Sequence, residues 1–471
     1  MKWNKLIGYA IGPIGIAIIG FISLPIVTWF YSVEDVGKIS MLQVVSSFCI
    51  LLFGLGLDQA YVREYHESPN RSELFKMAVL PGFLSIFISL WLIYIVNNTI
   101  ISKWLYGEQD IYLSIVSIFF FLFSFLLRFL ALILRMEERS FSYSFSQLLP
   151  KVFFLLFILA TVWLGYKQNT YNLITANLLS VVIGFFMFSW GTRKVWLLSL
   201  VSNTNWNKQK ELLVYGLPLV FGGLASWGLN VMDKLFLRSL SNFTELGVYS
   251  VAMSITGVVI LFSGIFNTIW SPMVYKWVSK GQVDIKKIND ISEYVLAASY
   301  FIIILSGLFS WVIPFFLPPE YISIQYLITV CLLGPLFYTL SETTAIGITI
   351  KRKTSLSMIA SIIAMLVNLC GNYLLVPTLG AAGAAASTGV AFWIFYILRT
   401  EFSKWVWERI DRNRSYIITL FILIASIINM LLKFDFNFLI LFWMVGLLLG
   451  LWIFRDIFKT IIGRYLKTFR C

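Results

Sequence analysis

The sequence predicts an all-α polytopic membrane protein of about 14 transmembrane helices, with two six-helix lobes in parallel repeat, two additional C-terminal helices and both termini cytoplasmic. Three observations predict this. Apolar runs of about 20 residues, enough to cross a bilayer core, recur along the whole chain. Basic residues crowd every second gap between those runs, and a loop motif from the first half returns in the second. Of 471 residues, 59% are hydrophobic, 17% aromatic and only 13% charged. The mean hydropathy of +0.84 excludes both an ordinary soluble domain and a disordered chain.

Taken in order, the spans fall near 6–30, 40–61, 77–96, 111–134, 147–166, 171–191, 212–237, 246–270, 294–316, 322–349, 355–376, 381–398, 415–432 and 436–454. The first is longer than a signal-peptide core and lacks a small-residue cleavage pattern, so it reads as a retained span. Charge tests the count independently. Of 36 basic residues, only Lys38, Lys103, Lys167, Arg238 and Lys433 fall in the odd-numbered gaps, and only Arg128, Lys151 and Lys234 fall within spans. The rest, from Lys2 and Lys5 through Lys351–Lys353 and Arg399 to the tail with Arg464, Lys467 and Arg470, lie at the termini or in the even gaps. Lys and Arg collect on the cytoplasmic side, so one miscounted span would reverse every later loop. The formal charge of +13 is therefore an orientation signal, and no nucleic-acid partner is expected.

Composition also limits the chemistry. The gaps are too short for a soluble catalytic domain, which needs at least about 50 residues. This weighs against a polysaccharide polymerase or glycosyltransferase, and no Gly-x-x-x-x-Gly-Lys loop is present for nucleotide. Cys49, Cys331 and Cys370 sit in apolar runs, Cys471 is the last residue, and His66 is the only histidine. No disulfide framework, metal site or cofactor is expected, and the chain is not expected to be an enzyme.

The halves repeat. Gly8-Tyr9-Ala10-Ile11-Gly12-Pro13 resembles Val214-Tyr215-Gly216-Leu217-Pro218, and Ser32-Val33-Glu34-Asp35-Val36-Gly37 parallels Asn242-Phe243-Thr244-Glu245-Leu246-Gly247. Both copies start from the same side, the pattern of transporters whose halves are related by an axis along the membrane normal. The expected divisions are an N-lobe over 1–200, a C-lobe over 201–400, and two further spans with a basic tail over 401–471.

Polar residues inside spans are the candidate functional groups, because burying a charge mid-membrane costs about 2.5–3.5 kcal/mol on insertion scales. Arg128 lies seven residues before Arg135, about 10 Å in from the cytoplasmic end, on one face with Ser117 and Ser124. It is read as a substrate contact or the partner of an acid. Lys151 can bind substrate or snorkel to the surface. Asn230, Lys234 and Arg238 share a face at i, i+4 and i+8, while Asp233 is turned about 100° away from Lys234. That face suits a phosphate, or else anchors the span at the interface. The acids Asp58, Asp233 and Glu342 are candidates for coupling or ion pairing: Glu342 takes a proton or pairs with Arg128, and Asp58, near Arg63, is structural. Asn368 and Asn372 continue a polar stripe with Ser357 and Ser361, suited to sugar hydroxyls or to interhelical hydrogen bonds.

A run of features carries a family resemblance. They are Glu34-Asp35-Val36-Gly37, then Phe53-Gly54-Leu55-Gly56-Leu57-Asp58-Gln59-Ala60-Tyr61-Val62-Arg63-Glu64-Tyr65, Leu246-Gly247-Val248-Tyr249 and the Lys351–Lys353 loop. Asn368-Leu369-Cys370-Gly371-Asn372-Tyr373-Leu374-Leu375-Val376-Pro377 and Leu379-Gly380-Ala381-Ala382-Gly383-Ala384-Ala385 complete it. Over about residues 1–400 the chain resembles the polysaccharide-exporter branch of the MOP superfamily, the Wzx-type O-antigen flippases. The resemblance implies a two-lobed flippase that moves an undecaprenyl-pyrophosphate-linked oligosaccharide from the inner to the outer leaflet of the bacterial inner membrane. Expected partners are that lipid-linked glycan, the bilayer, and the polysaccharide polymerase and chain-length machinery, with coupling to a proton or sodium gradient. A drug or organic-cation antiporter of the same superfamily is the alternative, but its site would be rich in acids, and bases at least match acids within these spans. A non-transporting scaffold for glycan assembly is a third reading.

Overall fold

In a computed structural model, residues 3–279, 285–408, 410 and 412–459 are described; Lys2 and the tail residues Arg464, Lys467, Arg470 and Cys471 lie outside them. Among the described residues, helices supply the regular structure and no strand occurs, and fourteen helices are long and apolar enough to cross a membrane. The first unit, by packing, runs from Met1 to Arg238. It contains α1 (Trp3–Phe30), α2 (Val33–Phe53), the short α3 (Leu57–Glu64), α4 (Arg71–Val96) and the short α5 (Ile100–Tyr106). It continues through α6 (Ile111–Met136), α7 (Ser140–Trp163), α8 (Thr170–Val201) and α9 (Trp206–Leu240). The second unit, Ser239 to Cys471, contains α10 (Phe243–Ser279), α11 (Ile285–Leu308), α12 (Ile324–Thr344), the short α13 (Ile346–Ile350), α14 (Thr354–Leu379), α15 (Ala381–Val406), α16 (Asn413–Leu432) and α17 (Phe436–Ile453).

The same packing plan appears in each unit. In the first, α8 is flanked by α6 and α7, and α2 and α4 pack on α6. In the second, α15 is flanked by α12 and α14, while α10 and α11 pack on α12. The repeated loop motif explains why. Ser32 caps α2 by accepting the Asp35 N–H at 3.1 Å, and Asn242 accepts the Glu245 N–H at 2.8 Å in the same way. The acid so positioned reaches across to the first residue of the last helix of its own repeat. Asp35 accepts a hydrogen bond from the Thr170 hydroxyl at the start of α8, and Glu245 accepts the Ala381 N–H at the start of α15 at 2.8 Å. Glu245 thereby satisfies an orphan backbone donor, Asp35 engages a side-chain hydroxyl, and both carboxylates meet the positive end of a helix dipole. Gly380, at φ +55°, makes the second contact possible, since a Cβ there would come within 2.5 Å of the Glu245 carboxylate.

Three expected spans are broken. The span near 40–61 divides at Gly54-Leu55-Gly56, where Leu55 and Gly56 adopt φ +51° and +66° and start α3 in a new direction. The span near 322–349 divides at Ala345 into α12 and α13, and the one near 294–316 leaves α11 for a 3₁₀ turn, Ser310–Phe315, around Pro314.

The last helix, α17, docks on α11 by steric notches. Gly307 of α11 lies under the Trp443 ring, Gly446 receives Ile304, and Gly450 receives Tyr300, whose hydroxyl donates to the Gly446 carbonyl at 2.8 Å. Small residues let helices approach where lipid offers no hydrophobic drive to pair them.

The motif clamp makes a direct prediction. Glu245→Ala removes an N-terminal cap worth about 1–2 kcal/mol and should lower the apparent melting temperature of the purified protein in detergent by several degrees, with Glu245→Gln falling between it and the unsubstituted chain. An unchanged melting temperature in Glu245→Ala would show that the contact holds nothing together.

Candidate functional site

The three cations that the sequence places within spans, Arg128, Lys151 and Lys234, belong to the first unit. Arg128 of α6 donates from Nη2 to Asp58 Oδ2 of α3 at 3.5 Å, and the two side chains remain 40% and 23% exposed. The stripe expected with it is mixed in character. Ser117 is fully buried and bonded to the Tyr106 hydroxyl at 2.6 Å, while Ser124 is half-buried. Lys151 of α7, next to Pro150, is exposed.

The face Asn230–Lys234–Arg238 of α9 lies along elements of the first unit. Asn230 is exposed and donates to its own helix at the Ser226 carbonyl, 2.7 Å away. Lys234 Nζ donates to Ser40 Oγ of α2 at 3.0 Å. The Arg238 guanidinium donates to the Trp104 and Lys103 carbonyls at 3.1 and 3.2 Å, closing the C-terminal end of α5. Asp233 is buried on another side of α9.

These contacts belong to a ladder. Trp227 Nε1 donates to Ser47 Oγ at 2.9 Å, Gly223 faces Leu51, and Gly216 lies against Leu55 and Gly56, where a Cβ on Gly56 would come within 2.1 Å of the Gly216 carbonyl oxygen. Residue numbers fall along α2 as they rise along α9, so the pair is antiparallel over its length. By sequence α9 begins the second repeat, yet it packs with the first unit. Its counterpart α1 packs on α7.

In the second unit Glu342 has a partner of its own. It accepts from Arg399 of α15 at 2.6 Å, and the Arg399 guanidinium also donates to Ser341 Oγ at 2.8 Å and lies over the Phe395 ring at 5.2 Å. These side chains are only 10% and 19% exposed for Arg399 and Glu342. The sequence reading ended this span at residue 398 and counted Arg399 with the loop, but α15 continues to Val406 and carries Arg399 into the interior. The helix bears the charge because the partner carboxylate, a hydroxyl and an aromatic face replace its water. Lys38 was likewise assigned to a gap. It lies buried in the first turns of α2, paired with Glu34 at 3.0 Å and Glu108 at 2.5 Å. Asp58, one of the candidate ion-pairing acids, is the partner of Arg128.

Asn368 and Asn372 are fully buried at the α14–α15 contact. Asn368 Nδ2 donates to Thr388 Oγ1 at 2.9 Å, and Asn372 Nδ2 donates to the Asn368 side-chain oxygen at 3.1 Å. Nearby, a Cβ on Gly371 would meet Ser387 Oγ at 2.8 Å, so this seam is closely packed. Among the described residues no group of three His, Cys, Asp or Glu side chains is placed to hold a metal ion.

The architecture has known counterparts. The structure is similar to lipid II flippase MurJ in an inward closed conformation, with a TM-score of 0.67 and 16% identity over 96% of this chain and 99% of that one. It is also similar to a multidrug resistance MATE family transporter of the MOP superfamily in an inward-facing conformation, at a TM-score of 0.57 and 16% identity over 86% and 99% of the two chains. These likenesses establish the fold. A curated relative, Lsg locus putative protein 1 of Haemophilus influenzae, is 20% identical over 311 residues, 65% of this chain and 73% of that protein. The family model described as polysaccharide biosynthesis protein matches residues 3–282, more than half the chain, and the protein belongs to that family.

Proposed function

We propose that the protein is a lipid-linked glycan flippase of the bacterial inner membrane, translocating an undecaprenyl-pyrophosphate-linked oligosaccharide by alternating access. Membership of a polysaccharide biosynthesis family and a fold shared with a lipid II flippase support this reading. The observation that carries it is Arg128, a half-exposed guanidinium about 10 Å inside an apolar helix. Such a group needs an anion, and a diphosphate supplies several acceptor oxygens in the geometry that a guanidinium fork matches best.

In this mechanism Arg128 takes the diphosphate from the cytoplasmic side. Lys151 and the Lys234–Arg238 face of α9 supply further positive charge, while the polyprenyl tail stays in lipid. Asn230 offers the hydrogen-bonding side chain of that face. The rocking motion is driven by a proton or sodium gradient, and the polysaccharide polymerase and chain-length machinery receive the product. Asn368, Asn372 and the Glu342–Arg399 pair act through the packing of the second unit. An acid-rich antiporter site is disfavoured because the half-exposed charge in α6 is a base.

The test is reconstitution. Proteoliposomes should translocate a fluorescently labelled undecaprenyl-pyrophosphate oligosaccharide above the rate of protein-free vesicles, and Arg128→Ala should reduce that rate at least tenfold at equal protein incorporation. Translocation no faster than in empty vesicles would refute the function. Full activity in Arg128→Ala would remove Arg128 from the site.

A further inference from the structure

Two ion pairs between helices, Arg399–Glu342 and Arg128–Asp58, are built differently. Arg399 and Glu342 are 2.6 Å apart, nearly closed from outside, and reinforced by Ser341 and the Phe395 ring. Arg128 and Asp58 are 3.5 Å apart through one terminal nitrogen, and both remain substantially exposed. Charge-assisted hydrogen bonds of good geometry are about 2.7–2.9 Å long and often bidentate with arginine. The first pair meets that standard in length. The second does not, and among the described residues Asp58 is the only hydrogen-bonded partner of Arg128.

We infer that Asp58 is an internal stand-in for the substrate diphosphate: it neutralises Arg128 while the site is empty, and the incoming pyrophosphate displaces it. The inference rests on the flippase reading above and adds a residue that sets affinity and release. An uncompensated guanidinium at this depth would be costly. A tight, closed pair would be equally unsuitable, because the substrate would then have to break a bond as strong as the one it makes. A long, single-point, accessible contact satisfies the charge and yields to a bidentate anion. The position of Asp58 suits the exchange. It is the second residue of α3, an eight-residue helix that begins immediately after the left-handed Gly56 and ends at Glu64. When the substrate leaves, the carboxylate returns to Arg128 and competes against rebinding.

The experiment measures binding of undecaprenyl pyrophosphate, with undecaprenol as the phosphate-free control, to the full chain in nanodiscs. Asp58→Asn should bind the diphosphate about tenfold tighter than the unsubstituted protein, and Asp58→Ser should do the same should Asp58→Asn fold poorly. Asp58→Glu, which keeps a carboxylate, should stay close to the unsubstituted affinity. In an Arg128→Gln background the Asp58→Asn gain should vanish, since the two groups act on each other. In the flipping assay Asp58→Asn should turn over more slowly despite its tighter binding. Equal or weaker binding by both neutral variants, or a gain that survives in Arg128→Gln, would overturn the inference and leave the flippase reading standing. An unsubstituted protein that does not prefer the diphosphate to undecaprenol would overturn both.

Discussion

The fold depends on one contact made twice: an acid in the first turn of one helix holding the N-terminus of the last helix in its repeat. Asp35 does this for α8 and Glu245 for α15, each acid being placed by a capping side chain three residues earlier. For Glu245 the bond satisfies a helix N-terminal donor that lipid cannot, and both acids lie at the positive end of a helix dipole. The contact also fixes which helix becomes the hub. With α8 and α15 held at one end, their flanking helices pack in the same order in both units. The acidic residue of the repeated loop is therefore a structural instruction, and the similarity between the halves is greatest where that instruction lies.

Much of the fold was legible in the sequence. The number of long apolar helices follows from run length, and the repeat follows from the polar loop that two unrelated apolar spans would not share. Helix breaks were less legible. Leu55 and Gly56 turn the chain within an apolar run, and hydropathy does not register a change of backbone conformation. The placement of α9 was not legible at all. Its partners are the glycines, Ser47 and Ser40 of α2 and the carbonyls of α5, and none of these carries a periodic signal that names a distant helix.

Charge was legible as far as position along the chain, and illegible as to partner. Arg128 stands out in an apolar span and Asp58 stands out as a candidate ion-pairing acid, but no spacing in the sequence joins the two. Arg399 was hidden, because it follows an apolar run closely enough to read as the start of a cytoplasmic loop. Only the side chains around it show that it is interior. The first unit carries the half-exposed arginine, the basic face of α9 and the closed pairing of Lys38 with Glu34 and Glu108; the second carries the closed Arg399–Glu342 pair and a buried asparagine seam. A closed pair holds helices together, whereas a half-exposed charge stays accessible to an incoming anion.

The central claim, that this chain moves a lipid-linked glycan between leaflets, is tested most directly in cells from which its gene has been deleted. The measurement is the leaflet occupied by undecaprenyl-pyrophosphate-linked oligosaccharide, read by accessibility to a membrane-impermeant glycan-modifying reagent in intact spheroplasts and in inverted vesicles. The account predicts accumulation of the complete repeat unit on the cytoplasmic leaflet, reversed when the gene is restored. Arrival of that glycan at the outer leaflet at the undeleted rate would contradict it.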